Sequence, residues 1–143
     1  MLIDEIKKAK IQAMKSRLEI DKEILSIVIT KYTNLEIKKK AEGLEMTDAD
    51  TINIIKKTLK ELDDEIKDNV AIGDSAHMLR ATRLQSQQAS IDLYLPRELS
   101  EDEIRSIINS LEDKSIPNVM KHFKTNFAGQ VDMALVNKIA RGQ

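Results

Sequence analysis

Two histidines are the side chains of this chain best suited to acid–base or metal chemistry. His77 and His122 lie far apart and neither stands at a recognisable spacing from a partner, so a surface or packing role is the more common interpretation of each. The chain has no cysteine and no HExxH pattern, and its four glycines are isolated, which excludes cysteine-based sites and a glycine-rich phosphate loop. The sequence therefore predicts no catalytic residue, no metal site and no cofactor.

Carboxylates one helical turn apart are the second candidate for chemistry. The pairs are Glu61 with Glu65 and Asp64 with Asp68. Such pairs can hold a hard cation. Because Lys60 and Lys67 are interleaved with them, we favour a solvated, charge-balanced helix face.

The basic residues near the carboxyl end are the third candidate. The net charge of the chain is −1, so global charge does not mark a nucleic-acid binder. Residues 97–113 carry two basic and six acidic residues, whereas residues 114–143 carry five basic residues and one acidic residue. The candidate RNA-binding residues are Lys121, Lys124, Asn126, Gly129, Gln130, Lys138 and Arg141.

Two interpretations of this basic end remain open. In the structural interpretation, the cations simply lie on the outer, solvated face of a small helical bundle. In the functional one, the turn from Asn126 to Gln130 approaches a phosphate backbone, since Gly129 permits close approach and the two amides supply hydrogen bonds. A helix N-terminus would add positive potential there, partly offset by Asp132.

Composition indicates which elements must position these residues. Aromatic residues make up only 3% of the 143 positions, and the chain has four glycines and two prolines. Strand-rich folds draw on more aromatic and turn residues. Apolar residues instead recur at helical spacing, and we expect an all-α fold.

Four helices are predicted in residues 1–95. The first covers about the first fourteen residues, and the second is closed by Gly43. Thr47 begins the third, which ends near Gly73, and Asp74 or Ser75 caps the fourth. The predicted inward positions of these helices are Leu2, Ile6, Ala9, Ala13, Ile20, Ile24, Val28, Tyr32, Leu35, Ile52, Ile55, Leu59, Leu62, Ile66, Met78, Ala81, Leu84, Ile91 and Leu95. The polar stretch Gln85 to Ser90 should be partly exposed.

A seam at Pro96 to Ser100 is predicted to join this part to a three-helix tail, residues 96–143. Pro96 stops the fourth helix, and Ser100 with Glu103 forms a capping box for the fifth. Pro117 is the expected first residue of the sixth helix. After a break at Gly129, Asp132 caps a last short helix.

These motifs resemble the YqeY family. The family pattern is matched by Tyr94-Leu95-Pro96, Leu99 to Glu103, Gly129, Asp132 and Leu135-Val136-Asn137, and the opening Lys8 to Ser16 is similar to the family's first helix. The C-terminal part of the family is shared with the tail of GatB, the tRNA-binding subunit of the glutamine-dependent amidotransferase acting on misacylated tRNA.

The resemblance implies an all-helical protein with four helices followed by a three-helix tail, and in the amidotransferase subunit this tail touches the tRNA body. Ala128 replaces the family's usual lysine, which removes one phosphate contact. Met133 replaces a small residue and would obstruct a close backbone approach. The family label carries the class of carbon–nitrogen ligases, but these residues supply no site for independent catalysis.

Three functions therefore stay open. The first is a non-catalytic adaptor that binds tRNA or another structured RNA. The second is a protein-interaction module whose exposed helical faces take a partner helix or a second copy. The third is an accessory factor or inhibitor of the amidotransferase, or an enzyme of that class. Charges interrupt the N-terminal apolar residues every few positions, so we expect no membrane association and a cytoplasmic location.

Overall fold

A computed structural model describes residues 1–127 and 129–142, and over these ranges the chain forms seven α-helices and no strand. The all-α prediction is confirmed. The helices are α1 Leu2–Lys15, α2 Glu19–Ala41, α3 Asp48–Ile72, α4 Ser75–Asp92, α5 Glu101–Ser110, α6 Ile116–Asn126 and α7 Met133–Ala140. None of them, in the part of the chain described, has the length and apolar character needed to cross a membrane.

The chain divides into two compact units, Met1–Tyr94 and Leu95–Gln143. The N-terminal unit contains α1 to α4, and the C-terminal unit contains α5 to α7. Leu95 thus belongs with the second unit. The role of the seam, Pro96 to Ser100, as the joint between the two parts stays a prediction.

Packing in the N-terminal unit uses aliphatic side chains almost alone. Tyr32 is the one aromatic residue in its buried core, and Lys7 Nζ lies 5.8 Å from the centre of its ring. The other buried apolar residues are Ile3, Ile6, Ala13, Ile24, Leu25, Val28, Ile52, Ile55, Leu62, Ile66, Ala81, Leu84 and Ile91. These positions follow helical spacing on each element, as an amphipathic helix requires.

Capping interactions set several helix ends as the sequence predicts. Thr47 and Asp50 form a reciprocal capping box at the start of α3. Asp50 also accepts a hydrogen bond from Lys39 Nζ at 2.7 Å, which ties the end of α2 to the start of α3. Gly43 and Gly73 follow their helices in the left-handed conformation, with φ of 74° and 75°, which glycine adopts at little cost.

Helix α4 departs from the prediction at two places. It ends at Asp92 rather than running on to Leu95 and Pro96. Met78, predicted to face inward, is 43% exposed, because steps of three residues drift by about 60° each around an α-helix and carry Met78 away from the face of Leu84 and Ile91. The polar stretch Gln85 to Ser90 is partly exposed, as predicted, and Gln87 is its buried residue at 3% exposed.

The C-terminal unit has its own small core, in which Phe123 is the largest fully buried side chain. The other buried members are Ile104, Ile108, Val119, Val131, Val136 and Ile139. The predicted capping box of Ser100 and Glu103 is present at the start of α5. Pro117 occupies the second rather than the first position of α6, since Ile116 begins the helix after Ser115.

Asp50 is expected to make the N-terminal unit sensitive to acid. Burial raises the pKa of this carboxyl, but hydrogen bonds from Lys39 and Thr47 outweigh that effect and hold the pKa below its usual value. A depressed pKa in the folded state means that the stabilisation is complete above the pKa of the unfolded chain. It is lost as the pH falls through the folded pKa. Asp50→Asn should lower the free energy of unfolding by about 1 to 2 kcal/mol at neutral pH.

Urea denaturation followed by circular dichroism at pH 7, 5, 4 and 3 checks this prediction. The variant should lose less stability on acidification than the wild type. Asp68→Asn is the matched control, because Asp68 is exposed and forms no ion pair among the described residues. An equal loss in the two variants would contradict the role given to Asp50.

Candidate nucleic-acid interface

Helix α6 presents Lys121 and Lys124 to solvent. Val119 and Phe123 are fully buried, and this fixes the face that α6 turns towards the core. Lys121 and Lys124 are both exposed, and residues three apart share one face of a helix. The two lysines therefore form a pair of neighbouring cations on the outer face of α6.

Helix α7 repeats this arrangement with Lys138 and Arg141. Val136 and Ile139 are buried in the core of the unit, whereas Lys138 and Arg141 are exposed three residues apart. Arg141 is the residue that caps the helix C-terminus. Cations at this end also interact favourably with the helix dipole.

The N-terminus of α7 is already occupied by a side chain of the protein. As the sequence predicts, Asp132 is the capping residue, and its Oδ1 accepts a hydrogen bond from the backbone N–H of Ala134 at 2.9 Å. The carboxylate stands where a phosphate would otherwise meet the helix amides. The positive potential expected at this helix end is therefore offset by Asp132.

The turn between α6 and α7 is held by backbone hydrogen bonds. Gly129 has φ of 80°, and the N–H of Gln130 donates to the carbonyl of Phe127 at 3.0 Å. The N–H of Leu99 donates to the carbonyl of Gln130 at 2.7 Å. Gly129 is thus required by its left-handed backbone. Ala128, the position of the missing family lysine, lies outside the described residues.

The side chains near the turn differ in how far they are free to contact a ligand. Asn126 is exposed, and its amide nitrogen donates to the carbonyl of His122 at 3.1 Å, which leaves the amide oxygen as the group facing solvent. Gln130 is half-buried. Met133, expected to obstruct a close backbone approach, is half-buried and packs against the core of the unit. The turn therefore offers fewer donors than the sequence indicates.

Ion pairing divides the cations of the C-terminal unit into two groups. Arg97 pairs with Glu103, with 3.0 Å between Nη2 and Oε2, and Arg105 pairs with Glu101. No carboxylate among the described residues pairs with any of the four lysine and arginine candidates on α6 and α7. Two of the three acidic residues of α5, Glu101 and Glu103, are thus paired with arginines, and the four cations on α6 and α7 form no ion pair among the described residues.

Lys138 is the candidate cation with an acidic neighbour. Its charge contributes to lowering the pKa of Glu101, after the larger effect of the hydrogen bond from Arg105. We therefore expect Lys138 to attract a polyanion less strongly than Lys121 or Lys124, because the nearby carboxylate reduces the local potential.

Sequence reasoning left two neighbouring residues out of the candidate set. Lys114 is exposed just before α6. His122 is half-buried, with its ring 5.9 Å from that of Phe127. A half-buried imidazole next to Lys121 in the sequence can contact a base or donate to a phosphate through its exposed part. Both could have been identified from the sequence, because Lys114 belongs to the basic segment and His122 follows Lys121 directly.

The other candidates for chemistry are held in structural contacts. His77 Nδ1 lies 2.6 Å from Oδ1 of Asp74, the residue that caps α4. Glu61 pairs with Lys31 and Glu65 with Arg80. Within residues 1–127 and 129–142, no three histidine or acidic residues converge as a metal site would require. These contacts favour the solvated, charge-balanced interpretation of the carboxylates.

Comparison with known proteins adds one match. The family model described as YqeY, Yqey-like protein, matches residues 3–143, which is nearly the whole chain. No curated protein matches the chain closely enough to compare.

Replacing Gly129 by alanine should weaken the turn that joins α6 to α7. A residue with a Cβ is disfavoured at φ of 80°, so we expect a loss of about 1 kcal/mol. Amide exchange of Leu99 measures the effect directly, because its N–H donates to the carbonyl of Gln130.

Gly142→Ala serves as the control, since Gly142 has φ of 83° but follows the last helix. That change should leave the exchange of Leu99 unaltered. Equal protection of Leu99 in the wild type and in Gly129→Ala would show that the turn does not depend on this glycine.

Proposed function

Because this chain belongs to the YqeY family, we propose that it is a non-catalytic adaptor that binds tRNA or another structured RNA. The proposed contact surface is the outer face of α6 and α7. It consists of the candidate residues Lys121, Lys124, Asn126, Gly129, Gln130, Lys138 and Arg141, together with Lys114 and His122. Phosphate groups are the proposed ligands of the cations, and the half-buried imidazole and the amide oxygens would contact sugars or bases.

The observation that carries this proposal is that only some cations of the C-terminal unit have a carboxylate partner. Arg97 and Arg105 have carboxylate partners, while the cations of α6 and α7 have none among the described residues. Holding like charges three residues apart on a short helix costs a few tenths of a kcal/mol per pair. A polyanion that neutralises both charges removes this repulsion and releases counterions.

The acidic start of α5 limits the orientation of any such RNA. Glu101 and Asp102 are exposed, and Glu98 precedes them. A phosphate backbone lying along α6 and α7 must avoid these carboxylates, because repulsion between like charges is strong where water is excluded. We expect the RNA to contact α6 more closely than α5.

A protein-interaction module is the second candidate function. The observation in its favour is that several large apolar side chains of the N-terminal unit are more than half exposed, among them Leu79 at 74% and Ile72 at 60%. Clustered apolar exposure of this kind marks interaction surfaces. This function does not exclude the first, because it uses the other unit of the chain.

Binding of bulk tRNA should be salt-dependent and should rest on α6. Each phosphate contact contributes about 0.7 to 0.9 to the slope of log K against log salt. Lys121→Gln with Lys124→Gln should therefore lower that slope by about 1.5 and weaken binding at 50 mM salt. Fluorescence anisotropy with labelled tRNA at several salt concentrations measures both quantities.

Lys38→Gln with Lys40→Gln is the matched control, because both lysines are exposed on α2 and the change in net charge is the same. That variant should bind as the wild type does. Absence of tRNA binding by the wild type at low salt, or equal weakening by the two double variants, would overturn the proposal.

The third function, catalysis of the amidotransferase class, has a separate test. The isolated protein should release no ammonia from glutamine and should hydrolyse no ATP, with or without tRNA, because no described residue has an arrangement suited to either reaction. A coupled glutamate dehydrogenase assay and a phosphate-release assay measure these activities. A turnover that disappears on replacement of His77 or His122 would show that the protein is an enzyme.

A further inference from the structure

The N-terminal unit carries an open groove of about 730 Å³ between α2 and α4. Leu62 and Leu84 are buried along it, and Ile20, Ile27 and Leu79 line it as apolar side chains that water can still reach. Ile27 is 39% exposed and Leu79 is 74% exposed. A surface of this composition is stabilised when another apolar surface covers it.

Charged residues frame the groove. Glu23 pairs with Arg83 at 2.9 Å and Glu65 pairs with Arg80 at 3.2 Å, and all four residues line the groove. Ile72 lies two helical turns beyond Glu65 on α3 and is 60% exposed, so helical spacing places it at one end of the groove. The result is an apolar channel with ionic walls, as in sites that receive an amphipathic helix.

A row of exposed apolar residues at the end of α1 and in the turn after it leads into this groove. Ile11, Met14 and Leu18 are each at least 50% exposed. Ile11 and Met14 are three residues apart and share one face of α1, whereas Leu18 lies beyond the end of α1, directly before α2. Leu18 also lines a smaller depression of about 400 Å³ with Ile20 and Ser86. Ile20 and Ser86 line the main groove as well, so the row and the groove are continuous.

We propose that two copies of this chain form a two-fold dimer through this surface, with the row of each copy seated in the groove of the other. The row is defined as Ile11, Met14 and Leu18, and the groove as the channel between α2 and α4. Ile11 and Met14 have the i, i+3 spacing with which the apolar face of a helix enters a groove, and Leu18 extends the apolar surface beyond the end of α1. One patch that carries both the row and the groove is what an isologous interface requires.

Charge complementarity favours a second copy as the occupant. From Lys7 to Arg17 the chain has five basic residues and no acidic one. The groove and its extension are lined by four carboxylates, those of Glu19, Asp21, Glu23 and Glu65, against three arginines, Arg80 and Arg83 on α4 and Arg17 beside Leu18. The basic row of one copy therefore meets a groove with an excess of negative charge in the other, an arrangement that orients the two chains.

An RNA is a poor fit to this surface. The three apolar side chains of the row stand among the cations of residues 7–17, and burying them against a phosphate backbone would leave them in a polar environment. The proposal is independent of the RNA-binding function, which uses the C-terminal unit.

Sedimentation equilibrium of the full chain over a range of about 1 to 500 µM tests the dimer. The wild type should pass from the monomer mass of 16.2 kDa to twice that value. Met14→Glu and Leu79→Glu should each raise the dissociation constant at least about thirtyfold, as expected for a charge placed at an apolar anchor. Both side chains are more than half exposed, so helical content by circular dichroism should not change.

Mixing the two variants is the sharpest part of the test. Each variant alone has both row-and-groove contacts damaged, whereas a mixed dimer retains one contact made entirely of wild-type residues. The equimolar mixture should therefore dimerise more strongly than either variant, with the mixed species seen by native mass spectrometry. Ile37→Glu is the control, because Ile37 is 64% exposed on α2 and does not line the groove.

Two results would overturn the proposal. One is a wild type that remains a monomer throughout the range. The other is a dimer that Met14→Glu and Leu79→Glu leave as stable as Ile37→Glu does, or that the mixture fails to strengthen. If a substituted chain loses helical content, Met14→Ser and Leu79→Ser replace it in the same experiment with the same expected order.

Discussion

Packing around Phe123 is the constraint on which the C-terminal unit depends. Phe123 and Val119 on α6 and Val136 on α7 are fully excluded from water, and helices of eight to eleven residues have few other means of fixing their rotation. Once these side chains face inward, helical geometry leaves Lys121, Lys124, Lys138 and Arg141 no direction except outward. The candidate surface is thus a consequence of core packing before any ligand is considered.

The pairing of charged side chains in the C-terminal unit follows from the same packing. Helix α5 begins with three acidic residues at its favourable dipole end, and the arginines nearest to them satisfy two of these carboxylates. Asp132 is engaged with the amides of α7. The unit therefore uses part of its negative charge internally, and the cations of α6 and α7 have no carboxylate partner among the described residues.

Much of this architecture could be predicted from the sequence, because local rules act over three or four residues. Thr47 with Asp50, Ser100 with Glu103 and the caps Asp74 and Asp132 are recognisable from spacing alone, and each is present. The exposure of Met78 and the burial of Gln87 were not predicted, because they depend on how α4 is rotated against α2 and α3. Hydrophobicity of a single residue does not determine that rotation.

The candidate surface was predictable in its residues and less so in its chemistry. The cations could be found from charge counts, but their lack of carboxylate partners depends on contacts between helices. The hydrogen bond from Leu99 to Gln130 joins residues far apart in the sequence, so no local pattern predicts it. The groove between α2 and α4 was equally hidden, because its residues come from three helices.

The distribution of aromatic residues has a practical consequence for work on this molecule. Both tyrosines, Tyr32 and Tyr94, lie in the N-terminal unit, whereas both phenylalanines, Phe123 and Phe127, lie in the C-terminal unit, and the chain has no tryptophan. Intrinsic tyrosine fluorescence therefore reports on the first unit alone. A single tryptophan introduced at Phe127, which is half-buried against the second core, would give each half of the chain its own optical signal.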